Sequence, residues 1–271
     1  MPGISFDRAV EYYDETRGYP PGIDEQLRDS IIAHLGLGRD ARLLEPGIGT
    51  GRIALPFIRA GYTYVGVDLS RIMMRKLRHK LTDRAQPVCL VCGDVMHLPF
   101  ADASFDAAVL VHVLHLVDDW RQVLRETRRT LREGGCLVLA SDERGGEGDA
   151  WPRARVHAAW SAILDELRVP PEQRRDGAPH GLDDRFPPFL EELGAEVRRT
   201  TLVAYRHVAR TAREVAHQYQ ARLYSSCWAL PDAVHTEAAR RLQRWIDEEC
   251  ADPDTAHEAP ARIDAYVARW P

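Results

Sequence analysis

Between Ala41 and about Ala140 the chain alternates short apolar runs with amphipathic stretches. The runs are ARLLE, TYVGVD, VCLVC, FDAAVLV and GCLVLA, and GRIALPFIRA and SRIMMRKLRHKL are among the helical patterns between them. Short continuous apolar runs suit strands covered on both faces. The pattern therefore predicts an α/β fold, a Rossmann-like, doubly wound, mostly parallel sheet. The stretch from Val117 to Leu131 repeats apolar or small residues at Trp120, Val123, Leu124, Thr127 and Leu131, one stripe of a helix that Gly134 and Gly135 are expected to cap.

Outside this core the periodicity turns helical. Asp7 to Asp14 reads as a short helix, RGYPPG as a turn and Ile23 to Leu35 as a second helix. After the core, Trp151 to Leu167 carries a stripe of Val156, Trp160, Ile163, Leu164 and Leu167, followed by the Pro/Gly-rich loop VPPEQRRDGAPHG. FPPFLEELG reads as a short helix and EVRRTTLVAYRHV as a strand. Ala212 to Leu223 and Ala233 to Glu249 read as helices and ARIDAYVARW as a last strand. Without a repeat or long linker, residues 1–271 are expected to form one domain: an N-terminal helical lid over 1–40, a core over 41–140, and helical cap insertions over 141–195 and 210–258.

Composition narrows the function. Lys+Arg 36 against Asp+Glu 41 leaves a formal net charge of −5, which disfavours a nucleic-acid partner. Lysine occurs only at Lys76 and Lys80. No apolar run approaches the roughly 20 residues needed to cross a bilayer, so membrane insertion is not expected. The opening MPGISFDRAVEYYDE has neither a basic nor an apolar signal region, and a cytoplasmic protein is expected.

Five cysteines, an odd number, suit a reducing compartment better than a disulfide scaffold. Cys89 and Cys92 form a C-x-x-C inside an apparent strand, where an offset of three directs them to opposite faces. With no second pair to complete a zinc site, two packed thiols and no metal are expected.

The most informative stretch is LLEPGIGTG, an apolar run followed by Gly47, Gly49 and Gly51 and then a helix expected near Arg52. Such a loop lets backbone approach a ligand at the sheet's C-terminal edge. The spacing is G-x-G-x-G, and Arg52 stands where the dinucleotide fingerprint has its third glycine. Glu45, just before the loop, would repel a pyrophosphate and suit a cationic ligand. Asp68 ends the second run, where an acid can hold ribose hydroxyls. A ribose ligand with a cationic tail is S-adenosyl-L-methionine.

On these residues the chain resembles the class I S-adenosylmethionine-dependent methyltransferases. The resemblance rests on E-P-G-I-G-T-G, V-D-L-S, C-G-D-V-M-H-L-P-F, F-D-A-A-V-L-V-H-V-L-H-L and R-R-T-L-R-E-G-G-C-L-V-L, in family order from Phe6 to Ala140. It is nearest to the small-molecule, methyltransferase type 11-like branch. No N/D-P-P-Y/F motif follows the fourth strand, which further disfavours nucleic-acid and release-factor substrates.

The resemblance implies Gly47, Gly49 and Gly51 around the methionine part, Asp68 on the ribose and Asp94 on the adenine amine, with Leu69 and Val95 beside them. It puts Val111 and His112 near the amino acid end and His115, as the candidate catalytic residue, toward the methyl group. EYYDETRGYP resembles the family lid, implying that Tyr13 and Arg17 close over the cofactor; a surface ion pair of Arg17 with Glu11 or Asp14 is the other reading. A turn-forming Asp94 and a helix-capping Asp68 are the corresponding alternatives. The expected activity is methyl transfer to a small-molecule acceptor, with O, N and C acceptors all open. A non-catalytic binder of the cofactor and a dinucleotide oxidoreductase are the rivals.

Overall fold

The computed structural model of the protein describes residues 6–81, 88–144, 151–174 and 181–271. Its elements run in the order α1 (Tyr13–Arg17), α2 (Ile23–Leu35), β1 (Arg42–Pro46), α3 (Ala54–Arg59), β2 (Thr63–Asp68), α4 (Arg71–Lys80), β3 (Val88–Cys92), β4 (Phe105–Val111), α5 (Trp120–Thr130) and β5 (Leu131–Arg144). They continue with α6 (Pro152–Glu166), α7 (Pro171–Arg174), α8 (Phe186–Glu192), β6 (Glu196–Ala209), α9 (Ala212–Gln220), α10 (Asp232–Glu248) and β7 (His257–Arg269). Residues 175–180 of the Pro/Gly-rich loop lie outside the described residues.

Seven strands form one sheet in the order β3-β2-β1-β4-β5-β7-β6. The pairs β1–β2, β1–β4, β2–β3 and β4–β5 are parallel. Parallel register sets the ends of neighbouring strands side by side: Pro46 pairs with Val67, Asp68 with Cys92, and Val111 with Ala140. Everything that leaves these strands at the C-terminal edge therefore converges there.

Contacts divide the chain into two compact units, one of Met1–Glu143, Pro179–Ala204 and Arg262–Pro271, the other of Arg144–Ala178 and Tyr205–Ala261. The first unit's core packs Leu44, Val65, Val67, Leu110 and Leu137 of the strands with Trp120 and Leu124 of α5. Trp120 meets Phe186 and Phe189 edge to face at 5.2 and 5.3 Å, so α8, which the sequence suggested for a cap insertion, belongs to this unit's core. In the second unit α6, α9 and α10 bury Val156, Trp160, Ile163, Tyr219, Leu242 and Ile246 against one another. A capping box between Thr211 and Glu214 starts α9.

Three local expectations are corrected. The N-terminal helix is a single 3₁₀ turn over Asp7–Ala9 followed by α1. Helix α5 stops at Thr130, because Leu131 is already extended and pairs with Phe105; Gly134 and Gly135 lie within β5. There β5 spends five residues where β4 uses two, and Gly134 takes φ +72°. Cys89 and Cys92 are exposed rather than packed, because β3 is an edge strand of the sheet.

Candidate cofactor and acceptor site

After β1 the chain turns through three glycines in the left-handed region, Gly47 at φ +80°, Gly49 at +53° and Gly51 at +76°. At two of them space also excludes a side chain. A Cβ on Gly47 would lie 2.7 Å from Val113 Cγ2, and one on Gly51 2.3 Å from Leu77 Cδ1. The N–H groups of Gly47 and Ile48 donate to the Val67 carbonyl at 2.7 and 3.2 Å. Gly66, which the sequence reading passed over, makes room for this: a Cβ there would stand 2.2 Å from Ile48 Cδ1. Helix α3 begins at Ala54, slightly later than expected.

Asp68 braces the loop from β2. Its Oδ2 accepts the Gly49 N–H at 2.8 Å and its Oδ1 the Ser70 N–H at 2.8 Å. The cap of α4 belongs instead to Ser70, whose Oγ accepts the Met73 N–H at 3.0 Å and donates to Asp7. Burial raises the Asp68 pKa and Asp7 adds to the rise, against the hydrogen bonds from Ser70 and Gly49. Each carboxylate oxygen keeps a lone pair for a further donor. Leu69 is half-buried beside it.

Asp94 follows Gly93, whose N–H donates to the Asp68 carbonyl at 3.1 Å. The second and third strands thus deliver their acids to the same edge. Asp94 Oδ1 accepts the Met96 N–H at 2.9 Å, forming the turn that was its structural alternative, while Oδ2 lies 3.8 Å from His97 Nδ1. Val95 is buried.

Glu45 is 4% exposed and accepts the Tyr64 hydroxyl at 2.8 Å. Burial pushes its pKa up to about 8, against Tyr64 and Arg52, with Asp68 adding to the rise. The expected carboxylate is therefore mostly protonated at neutral pH.

At the other side of the edge, β4 ends at half-buried Val111 and His112 follows in the left-handed region, at φ +55°. His112 Nε2 meets the carboxylate of Asp142, which lies near the end of the neighbouring strand β5. Asp142 also faces Arg52 Nη1 at 3.5 Å. Arg52 lies over the Tyr19 ring at 4.7 Å and donates to the Arg17 carbonyl at 3.2 Å. Burial opposes its charge, but Tyr19, Asp142 and Tyr13 outweigh this and hold its pKa above the usual value. His115 sits on a single 3₁₀ turn, Leu114–Leu116, with its ring edge-on to His112 at 6.5 Å. Both histidines line a small pocket with Val113, Leu114, Leu139, Ala140, Gly181 and Phe186.

Tyr13 and Arg17 are the first and last residues of α1. Asp14 between them accepts from Thr50 and pairs with Lys80 at 2.8 Å and Lys76 at 3.4 Å. Burial works to raise the Asp14 pKa, yet Lys80, Thr50 and Lys76 hold it below the usual carboxylate range. Lys76 Nζ also donates to the Val10 carbonyl at 2.6 Å, and Lys80 Nζ to the Thr50 carbonyl at 2.8 Å. The sequence reading named Asp14 only as an ion-pair partner of Arg17 and Arg52 only for the glycine spacing, and it missed Asp142. For Asp14 a signal existed, since the chain's only two lysines lie four apart on one face of α4.

Among the described residues no group of three or more His, Cys, Asp or Glu could hold a metal ion, and no helix is long and apolar enough to cross a membrane.

The chain is similar in sequence and in fold to known methyltransferases. Residues 44–139 match the family model described as a methyltransferase domain. The chain is 30% identical over 165 residues to a malonyl-[acyl-carrier protein] O-methyltransferase of Pseudescherichia vulneris, covering 61% of this chain and 60% of that protein. It is 31% identical over 136 residues to a demethylmenaquinone methyltransferase of Renibacterium salmoninarum, covering 50% of this chain and 56% of that one. The chain thus spans little more than half the length of these curated relatives. A solved structure of a candidate methyltransferase from Bacillus halodurans superposes with TM-score 0.59 at 18% identity, covering 90% of this chain and 98% of that one, a likeness of fold. The glycine loop and the acid that braces it lie within the matched segment, so this part of the chain is similar to a methyltransferase domain.

Proposed function

We propose that the chain transfers a methyl group from S-adenosyl-L-methionine to a small-molecule acceptor. The observation that carries this reading is the set of carboxyl groups around the glycine loop, Glu45, Asp68 and Asp94, with Asp68 holding the loop in place. This donor set fits the cofactor. Asp68 offers acceptors to ribose hydroxyls and Asp94 to the adenine amine, while a sulfonium or ammonium charge beside Glu45 would favour its ionised form. A pyrophosphate would place negative charge beside Asp68 and Asp94.

When bound, the cofactor supplies an electrophilic methyl group on sulfur. The chain's own work is alignment and exclusion of water. Gly47, Gly49 and Gly51 let backbone close on the methionine part, with Val111 and His112 near its amino acid end. Leu69 and Val95 flank the adenosine, and Tyr13 and Arg17 cover it from α1, with Arg17 on the methionine carboxylate. His115 faces the acceptor in the pocket it shares with His112. Val113, Leu114, Leu139 and Phe186 share this small pocket with the two histidines, a lining of mixed polarity. Five free thiols suit a cytoplasmic protein. Calorimetry tests the reading: S-adenosylmethionine and S-adenosylhomocysteine should bind, and a comparable signal from NAD or NADP, with none from these two, would overturn it.

A further inference from the structure

His112 is held in a backbone conformation that is uncommon and costly for a residue with a Cβ. Parallel pairing of β4 with β5 up to Val111 and Ala140 brings Asp142 beside it, thirty positions later in the chain. The carboxylate can only accept and lies much nearer Nε2 than the Asp142 N–H, which faces the same nitrogen at 3.5 Å; the closer partner assigns the hydrogen to Nε2 and leaves Nδ1 its lone pair. That is the arrangement in which a carboxylate orients a histidine as a base.

Resting on the methyltransferase reading, we propose that Asp142 is a positioning residue that fixes His112 as the group accepting the proton of an acceptor hydroxyl. The acceptor is then an alcohol or phenol. Its O–H proton passes to His112 Nδ1 as the new O–C bond forms, and the C–S bond breaks with its electron pair left on sulfur. The imidazolium afterwards returns the proton to solvent. The sequence favoured His115 for this task, but it is the His112 ring that Asp142 holds.

The charged groups around His112 agree with the role. Asp142 from β5, Arg52 from the glycine loop, Arg17 from α1 and His115 from the following turn all face it. Burial, Arg52 and Arg17 push the His112 pKa below the usual histidine range, against Asp142, so the ring is neutral and able to accept at neutral pH. Arg52 balances the charge of Asp142.

The test is ¹⁵N-histidine NMR of the full chain without cofactor, in wild type, Asp142→Asn and Asp142→Ala, with S-adenosylmethionine affinity measured on each. Wild-type His112 should be the neutral Nε2–H tautomer at pH 7.5. Asp142→Asn, which offers an amide donor to Nε2, should shift it toward Nδ1–H, and Asp142→Ala should mix the two. A labelled-methyl screen of phenols, alcohols and amines should show transfer to hydroxyl compounds that Asp142→Asn reduces by roughly 10²-fold or more. An Nδ1–H tautomer in the wild type, a tautomer indifferent to both variants, or transfer confined to amines would overturn the proposal while cofactor binding stands. Absence of cofactor binding in the wild type would instead bring down the methyltransferase reading beneath it.

Discussion

Glu45 ties protonation to both folding and ligand binding, and Glu45→Gln separates the two. Its carboxyl lies buried against the Tyr64 hydroxyl with a pKa of about 8, against 4.5 for the ordinary group. Between these values the folded chain holds a proton that the unfolded chain has released. The stability it confers is complete below pH 4.5 and is lost as pH rises toward 8. At about 1.4 kcal/mol per pH unit, the loss from pH 4.5 to 7 amounts to roughly 3 kcal/mol. Glutamine keeps an acceptor for Tyr64 but cannot ionise. It should therefore gain on the wild type by that amount as pH rises, whatever fixed cost its buried amide adds. Urea denaturation of both proteins at several pH values between 5 and 8 measures the difference. Parallel curves would refute the reasoning. A cation in the site should draw the Glu45 pKa down, so binding of S-adenosylmethionine at pH 7 should release a proton in wild type and none in Glu45→Gln. Calorimetry in buffers of different ionisation enthalpy reads this directly.

Asp68→Ala should weaken S-adenosylmethionine binding by about 1.5–3 kcal/mol, the range for charge-assisted hydrogen bonds; unchanged calorimetric affinity in a folded variant would remove Asp68 from the site. Gly66→Ala places a methyl 2.2 Å from Ile48 Cδ1, so thermal unfolding should show a loss of about 1–3 kcal/mol with weakened cofactor binding. Chelator treatment and the double change Cys89→Ser, Cys92→Ser should both leave methyl transfer intact, and activity lost and then restored by added Mg²⁺ or Zn²⁺ would contradict a metal-independent reaction.

Where structure follows from neighbours along the chain, the sequence alone determined it. The apolar repeat every three or four residues specified α2 from Ile23 to Leu35 and the stripe of α5, while short apolar runs specified β1 to β5. The glycine loop and Asp68 were legible for the same reason, since a strand, three glycines and an acid at the next strand's end are local patterns. Pairing between distant segments was not written locally. Only the sheet order made β3 an edge and exposed Cys89 and Cys92, and only the parallel register of β4 with β5 set Asp142 against His112. The pairing of Leu131 with Phe105 ended α5 before its glycines. The protonation of Glu45 likewise came from tertiary packing. A carboxyl group's charge depends on how much water surrounds it, and that is fixed when β1, β2 and the glycine loop close together.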